Sequence, residues 1–271
     1  MQESHPSREL GKDPRILLAS MPDQAIRRSF VRKNIGNSVP FEFVECVNGL
    51  GWSDEDVRKH MSPDFFARRE RDLEAGKSWL ASGAIACALT HRDNMMERIT
   101  STGKILCEDD VGFEKDFLAE LQSKNWWNEM DQIDGPILLN YRSRKPISAE
   151  SKSLFSFGRY SVHRSEAPEL VSAAAYFLNP KTASEIRNFQ TPLRAGVDAW
   201  CSMRRQGAFK HINLIHPMPT WIEPFPSTVN YSDRGIKGLG LVPKIERRLR
   251  AANRVFRSVV GLTHNRITHW Q

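Results

Sequence analysis

No stretch of this 271-residue chain approaches the ~20 consecutive apolar residues of a membrane-spanning helix. The opening MQESHPSRELGKDP has no apolar core of a secretion signal. The chain is therefore expected neither to cross a membrane nor to be exported by such a signal. Cysteine is sparse: Cys46, Cys87, Cys107 and Cys201 lie far apart without a CxxC or Cys/His pattern. That indicates neither a zinc site nor a disulfide framework, and a reducing compartment fits best. Low-complexity tracts and internal repeats are missing, which confines expected disorder to the ends. A GxxxxGK[ST] loop is also missing, which counts against nucleoside-triphosphate chemistry.

What is present is positive charge. The formal net charge is +7 and the sequence pI about 9.4, with hydrophobic residues at 40% and charged residues at 26%, ordinary for a globular protein. A basic balance suits an anionic partner, whether nucleic acid, phosphorylated glycolipid or membrane surface, and equally suits a merely solvated surface. A nucleic-acid binder would interleave aromatic and basic residues on one face or carry a reading motif, and neither is seen.

Along the chain, strand and helix patterns alternate, the signature of a parallel α/β sheet. RILLAS (15 to 20) predicts a strand, and QAIRRSFVRKNIG predicts a helix from the spacing of Ile26, Phe30 and Val31. FEFVECVNG predicts a second strand ending in an Asn-Gly turn. Residues 53 to 78 are charged and predict a helical surface insertion. GAIACALTHRDNMMERI predicts a helix with small residues on one face, suited to close packing on a sheet. KILC, GPILLN and AAAYFLN predict further strands, with Asn179 capping a helix that has Pro180 at its first position. The span from Arg142 to Arg164 reads as a basic, Ser-rich loop. Residues 244 to 260 place Ile245, Leu249, Ala252, Phe256 and Val259 on one stripe and six basic side chains mostly off it. Such a basic amphipathic helix suits an anionic membrane interface, or docking on its own domain or a second subunit.

The densest chemistry is in KILCEDDVGF, where Glu108, Asp109 and Asp110 follow an apolar strand. Ligands of open α/β sheets bind beyond the carboxyl ends of strands. Strand alternation turns Glu108 and Asp110 one way and Asp109 the other. Two carboxylates so placed can share Mg²⁺ or Mn²⁺ and bridge it to a diphosphate. A plainer reading has Asp109 or Asp110 capping a following helix.

The paired segments GAIACALTH and ILCEDDV resemble the signature of glycosyltransferase family 25, the lipopolysaccharide-type galactosyltransferases. Gly83, Cys87, Leu89 and His91 fall on its first half; Thr90 stands where Ser is usual and Cys107 where Leu is. RILLASMPDQAIRRSF is similar to the family's opening strand and double-arginine helix, with Arg27 and Arg28 on the basic pair and Ala19-Ser20 departing from Asn-Leu. FEFVECVNG is similar to a strand end with Asn48 in an acidic position, and AAYFLNPKTASEI with Val197-Asp198 matches two later segments. The resemblance runs from Arg15 to about Pro219.

It implies a GT-A-like, Rossmann-type nucleotide-sugar-binding domain over residues 15 to 225; outside it, the polar residues 1 to 14 read as a flexible leader and 226 to 271 as a basic amphipathic helical extension. It implies an inverting transfer of galactose from UDP-galactose, with Glu108 and Asp110 on the metal and Asp109 between them at the diphosphate. Inversion by one displacement needs a base for the acceptor hydroxyl. Asp198 is the leading candidate, with Trp200 beside it as a surface for a sugar ring, and Glu223 a remoter one; Asp198 could also cap the helix that follows. His91 suits a hydrogen bond to nucleotide or sugar, or a structural role. Arg28 suits the diphosphate, or the surface. His216 could add a metal ligand, or be a loop residue. Arg142, Arg144, Lys145, Lys152, Arg159 and Arg164 could meet an anionic glycan or glycolipid acceptor, or be a solvated face. With residues 244 to 260 on a membrane, the enzyme would be cytoplasmic and peripheral at the inner face. Nucleic acid is not an expected partner, and the oligomeric state stays open. Three alternatives remain: a non-enzymatic basic nucleic-acid-binding protein, a metal-dependent phosphotransferase using the same acids, and the same fold with catalysis lost or no metal required, which Asn48, Thr90 and Ala19-Ser20 allow.

Overall fold

The computed structural model describes residues 13–75, 80–143, 147–226 and 267–269. The opening unit forms as the pattern predicts: β1 (Ile16–Ser20), α1 (Ala25–Ile35) and β2 (Phe41–Glu45). Every residue of β1 is buried, Leu17 and Ala19 in one core and Ile16 and Leu18 in another. Both sheet faces are therefore covered, which is why the strand reads as a continuous apolar run.

The charged insertion is helical, as α2 (Asp54–Arg58) and α3 (Pro63–Glu74). Ser53 and Asp56 cap α2 reciprocally, and Ser62 caps α3 ahead of Pro63. Behind the charged face, Val57, Met61, Phe65 and Phe66 pack on Leu80 and Ile85. α4 (Ser82–Leu89) continues into a π-helical turn, Thr90–Met95, and a 3-10 turn, Met96–Arg98. Its small residues do admit a close neighbour. A Cβ on Gly49 would stand 2.7 Å from the Ser82 carbonyl oxygen and 2.8 Å from the Ala86 Cβ, so only glycine fits there.

β3 (Lys104–Glu108) ends at the first acid, and the chain turns through Asp109 and Asp110 into β4 (Val111–Phe113). α5 (Lys115–Glu120), α6 (Lys124–Gln132) and β5 (Ile137–Leu138) follow. The helix expected directly after the acids thus begins one strand later, with Glu114 at its N-cap. Neither Asp109 nor Asp110 caps it.

The span from Arg142 to Arg164, read as a loop, instead holds β6 (Ile147–Ala149), β7 (Phe155–Phe157) and β8 (Tyr160–Ser165). In β8 the buried Tyr160, Val162, His163 and Ser165 alternate imperfectly with Ser161 and Arg164, which hides the strand period. β9 (Ala175–Leu178) leads to α7 (Pro180–Phe189), where the Asn179 side chain accepts from the Thr182 amide at 2.8 Å. α8 (Trp200–Arg205), β10 (Ile212–His216), β11 (Thr220–Ile222) and β12 (Ile267–His269) complete the described elements.

The large sheet runs β12-β6-β8-β10-β5-β9-β3-β1-β2, with β7 beside β8, while β4 and β11 form a separate ribbon. β2, β1 and β3 are mutually parallel, consistent with a Rossmann-like half. β9 is antiparallel to both β3 and β5, so the sheet is mixed rather than parallel throughout. Hydrophobic periodicity carries no strand direction, which is why the sequence did not reveal it. Residues 244 to 260 lie outside the described residues, as do the leader up to residue 12, Arg144 and Lys145. Among the described residues, no helix is long and apolar enough to cross a membrane.

Candidate active site

Parallel pairing brings the carboxyl ends of β1 and β3 to one edge, with Ala19 opposite Glu108. The Glu108 amide donates to the Ala174 carbonyl at 2.9 Å, which fixes its backbone just ahead of β9. There a cavity of about 380 Å³ opens, within the roughly 300–1,000 Å³ of small-molecule sites. Glu108, Asp198, Cys87 and Arg142 line it, together with small residues of α4 and of the loop from Val171 to Ala174.

The acids separate into distinct environments. Asp109 is buried and accepts from Arg27 Nη1 at 2.5 Å, and Asp110 lies 3.7 Å from the same nitrogen. Arg27, itself buried, also donates to the Pro226 carbonyl at 2.7 Å and covers the Phe225 ring. One Asp110 oxygen, Oδ1, is buried without a hydrogen-bond partner. Burial, followed by the charges of Asp110, Asp109 and Asp198, pushes Glu108 up to about 7 against the pull of Arg27. Burial raises Asp110 as well, opposed by Arg27. Burial, followed by the charges of Asp109 and Glu108, pushes the Cys46 thiol up to about 12. Glu108 thus feels three other carboxylates against the one buried guanidinium of Arg27, while Arg142 acts on Asp110, so the surroundings of Glu108 are short of positive charge. That deficit and the orphaned oxygen fit a hard divalent cation.

Asp198 stands in a turn closed by the Ala199 amide on the Gly196 carbonyl, 3.1 Å. It does not cap α8; Ala199 occupies the N-cap and no side chain bonds there. Its carboxyl opens to water, which tempers the upward shift caused by the protein packed around it. Trp200 is fully buried, donating to the Ser172 carbonyl at 2.8 Å and meeting Tyr176 edge-on. It therefore offers no face to a sugar, and the expectation that it would is corrected.

Arg28 turns away from the acids. Its Nε donates to the Ser20 hydroxyl at 3.1 Å and its guanidinium covers Phe43. The phase of α1 gives the buried role to Arg27, the other half of the basic pair. Asn48 is exposed, and its side chain accepts from the Leu50 amide at 2.9 Å in a local turn. His216 ends β10 and is half-buried. Glu223 reaches the acids through its backbone, its amide donating to the Asp110 carbonyl at 2.8 Å. Of the basic segment, Arg142 is on the cavity wall while Arg159 pairs with Glu114 and Arg164 lies 4.0 Å from Glu150.

His91 sits in the π-helical turn, wholly buried, with Nδ1 2.7 Å from the Tyr176 hydroxyl. Burial holds it down from the ordinary 6.5 to about 4. Between those values the unfolded chain binds a proton that the folded chain refuses, so stability is complete above pH 6.5 and declines as pH falls. The expected loss is about 3 kcal/mol by pH 4. Urea unfolding at pH 6.5 and at pH 4 should show a loss smaller by about that amount in His91→Gln; equal losses would place the acid sensitivity elsewhere.

A family model described as glycosyltransferase family 25 (LPS biosynthesis protein) matches residues 13–200. The chain belongs to glycosyltransferase family 25. Among curated proteins, no match to the chain is found. Membership supports a glycosyltransferase, with a nucleotide-sugar donor and a glycan acceptor. The family 25 match spans α1, α4, β3 and the turn carrying Asp198, so the residues around the cavity fall within it, apart from Ile222. Cys87, to which the sequence pattern assigns no chemical role, reaches the cavity. Its spacing of four from His91, one helical turn, was the available signal.

Proposed function

We propose that this family 25 member transfers galactose from UDP-galactose, with inversion, to a lipopolysaccharide, lipooligosaccharide or other cell-surface glycan. The observation that carries the reading is that Glu108 and Asp198 line one cavity at the carboxyl end of β3. A single displacement needs the leaving diphosphate and the attacking hydroxyl on opposite sides of the anomeric carbon. Glu108 and Asp110 would hold Mn²⁺ or Mg²⁺, which supplies charge neutralisation for the departing diphosphate. Arg27 holds Asp109 and so fixes the turn that presents the two ligands. Arg142, on the cavity wall, gives a cation to the diphosphate or to an anionic acceptor. Asp198 accepts the proton of the acceptor hydroxyl as its oxygen attacks. In this reading Arg28 braces the end of β1 and His91 braces the cavity wall, each acting on the donor through the elements they tie.

The domain of residues 15 to 225 does the chemistry. Residues 244 to 260, by their basic amphipathic sequence, hold it against the cytoplasmic face of a membrane that carries the acceptor. The test is UDP release from a panel of UDP-sugars with a lipopolysaccharide-core acceptor, with and without divalent ion. UDP-galactose should exceed each other donor by at least about tenfold, since a site that hydrogen-bonds a sugar hydroxyl rejects its epimer. Equal turnover of all donors, or none, would remove the galactose assignment.

A further inference from the structure

Cys87, His91 and Glu108 come together from two elements. Cys87 is on α4 and His91 one turn later in the π-helical segment, so both face the end of β3, where Glu108 projects. A ligand atom from each lies within 4.8 Å of the other two. The His91 ring is sealed from solvent, and its Nε2 has no hydrogen-bond partner. An unpaired buried polar atom costs about 1–3 kcal/mol, so a ligand that pairs it is favoured.

The surroundings suit a particular kind of ligand. With the proton on Nδ1, His91 donates to the Tyr176 hydroxyl at 2.7 Å, leaving the buried Nε2 with its lone pair free. A metal-bound imidazole is oriented in this way, by a partner on its other nitrogen. Sulfur, imidazole nitrogen and one carboxylate oxygen make a borderline-soft donor set, unlike the all-oxygen set of Glu108 and Asp110. Bonds of about 2.0–2.3 Å in a tetrahedron put ligand atoms about 3.5 Å apart, so side-chain movements of about an ångström would close the site. Cys87 and Glu108 also border the cavity, which leaves a coordination position open to it.

We propose that Cys87, His91 and Glu108 bind a divalent transition-metal ion of the zinc class, with Tyr176 orienting the histidine and the fourth position facing the cavity. On binding, the Cys87 thiol gives its proton to solvent and ligates as thiolate. Glu108 is common to this site and to the magnesium or manganese reading, but the proposal stands without glycosyl transfer.

The test uses the full chain, freed of metal by a chelator and titrated with Co²⁺ as a spectroscopic stand-in for zinc. One equivalent should produce a thiolate-to-cobalt charge-transfer band, bleached by Zn²⁺ and untouched by equal Mg²⁺. Cys87→Ser should abolish the band, and Tyr176→Phe should weaken Co²⁺ binding by about 10–100-fold. Cys46→Ser should leave it in place. No band in the wild-type chain, or a band that survives Cys87→Ser, overturns the proposal. Because the wild-type spectrum alone is decisive, poor folding of a variant does not protect the idea, and an inactive protein with an intact band would sink only the transfer reading.

Discussion

Asp198→Asn is expected to lower kcat for transfer from UDP-galactose by about 10²–10⁴-fold, the contribution of a positioned general base. The amide keeps the shape of the carboxyl and loses the site that takes the proton. Donor KM should stay within about a factor of two, because the interaction lost is one made in the transition state. Folding should hardly change: the carboxyl opens to water and bonds to no helix end, since Ala199 occupies the N-cap of α8. A stability change within about 0.5 kcal/mol is expected for such a site. Steady-state kinetics with a parallel urea melt check this, and a variant within threefold of wild-type kcat would mean that another group takes the proton. The base must be ionised to act, and the protein packed around Asp198 raises it, an effect that its opening to water keeps small. Activity should therefore decline on the acid side from a pH above the ordinary aspartate range.

Arg27→Met should cost about 3–5 kcal/mol of stability, the usual result of removing one partner of a buried ion pair. Arg27 and Asp109 are each nearly sealed from water and 2.5 Å apart, so the substitution leaves a carboxylate buried beside Asp110 with nothing to neutralise it. The Pro226 carbonyl loses its donor as well. Arg27→Met combined with Asp109→Asn removes the stranded charge and should recover most of the loss, a coupling of the kind a double-mutant cycle measures. Urea unfolding of the four proteins decides the matter. A single variant that loses less than about 1 kcal/mol would show that the pair behaves like a solvated surface contact.

These two effects mark where the sequence was readable. β1, α1, β2, α4 and β3 stand out by the spacing of their apolar or small residues, and α7 by its Asn179 cap and Pro180. The insertion of β9 antiparallel between β3 and β5 depends on contacts between distant segments, which periodicity cannot show. β6 to β8 were hidden because their strands are short and mix serine and arginine with the inward residues. The acids were visible as a cluster, yet their partition was not. It depends on a tight turn after Glu108 and on which of two adjacent arginines the phase of α1 buries. Trp200 shows the same limit: beside Asp198 in sequence, it points into the core while Asp198 faces the cavity.

The central claim is that Glu108 and Asp110 hold a divalent ion against the donor diphosphate. Calorimetric titration of UDP into the protein, with Mn²⁺ and with chelator, tests it most directly. We expect Mn²⁺ to tighten UDP binding by at least about tenfold in the wild-type chain, as a bridging cation should. That gain should vanish in both Glu108→Gln and Asp110→Asn. UDP binding that is indifferent to Mn²⁺, or a gain that survives in both variants, would contradict the account.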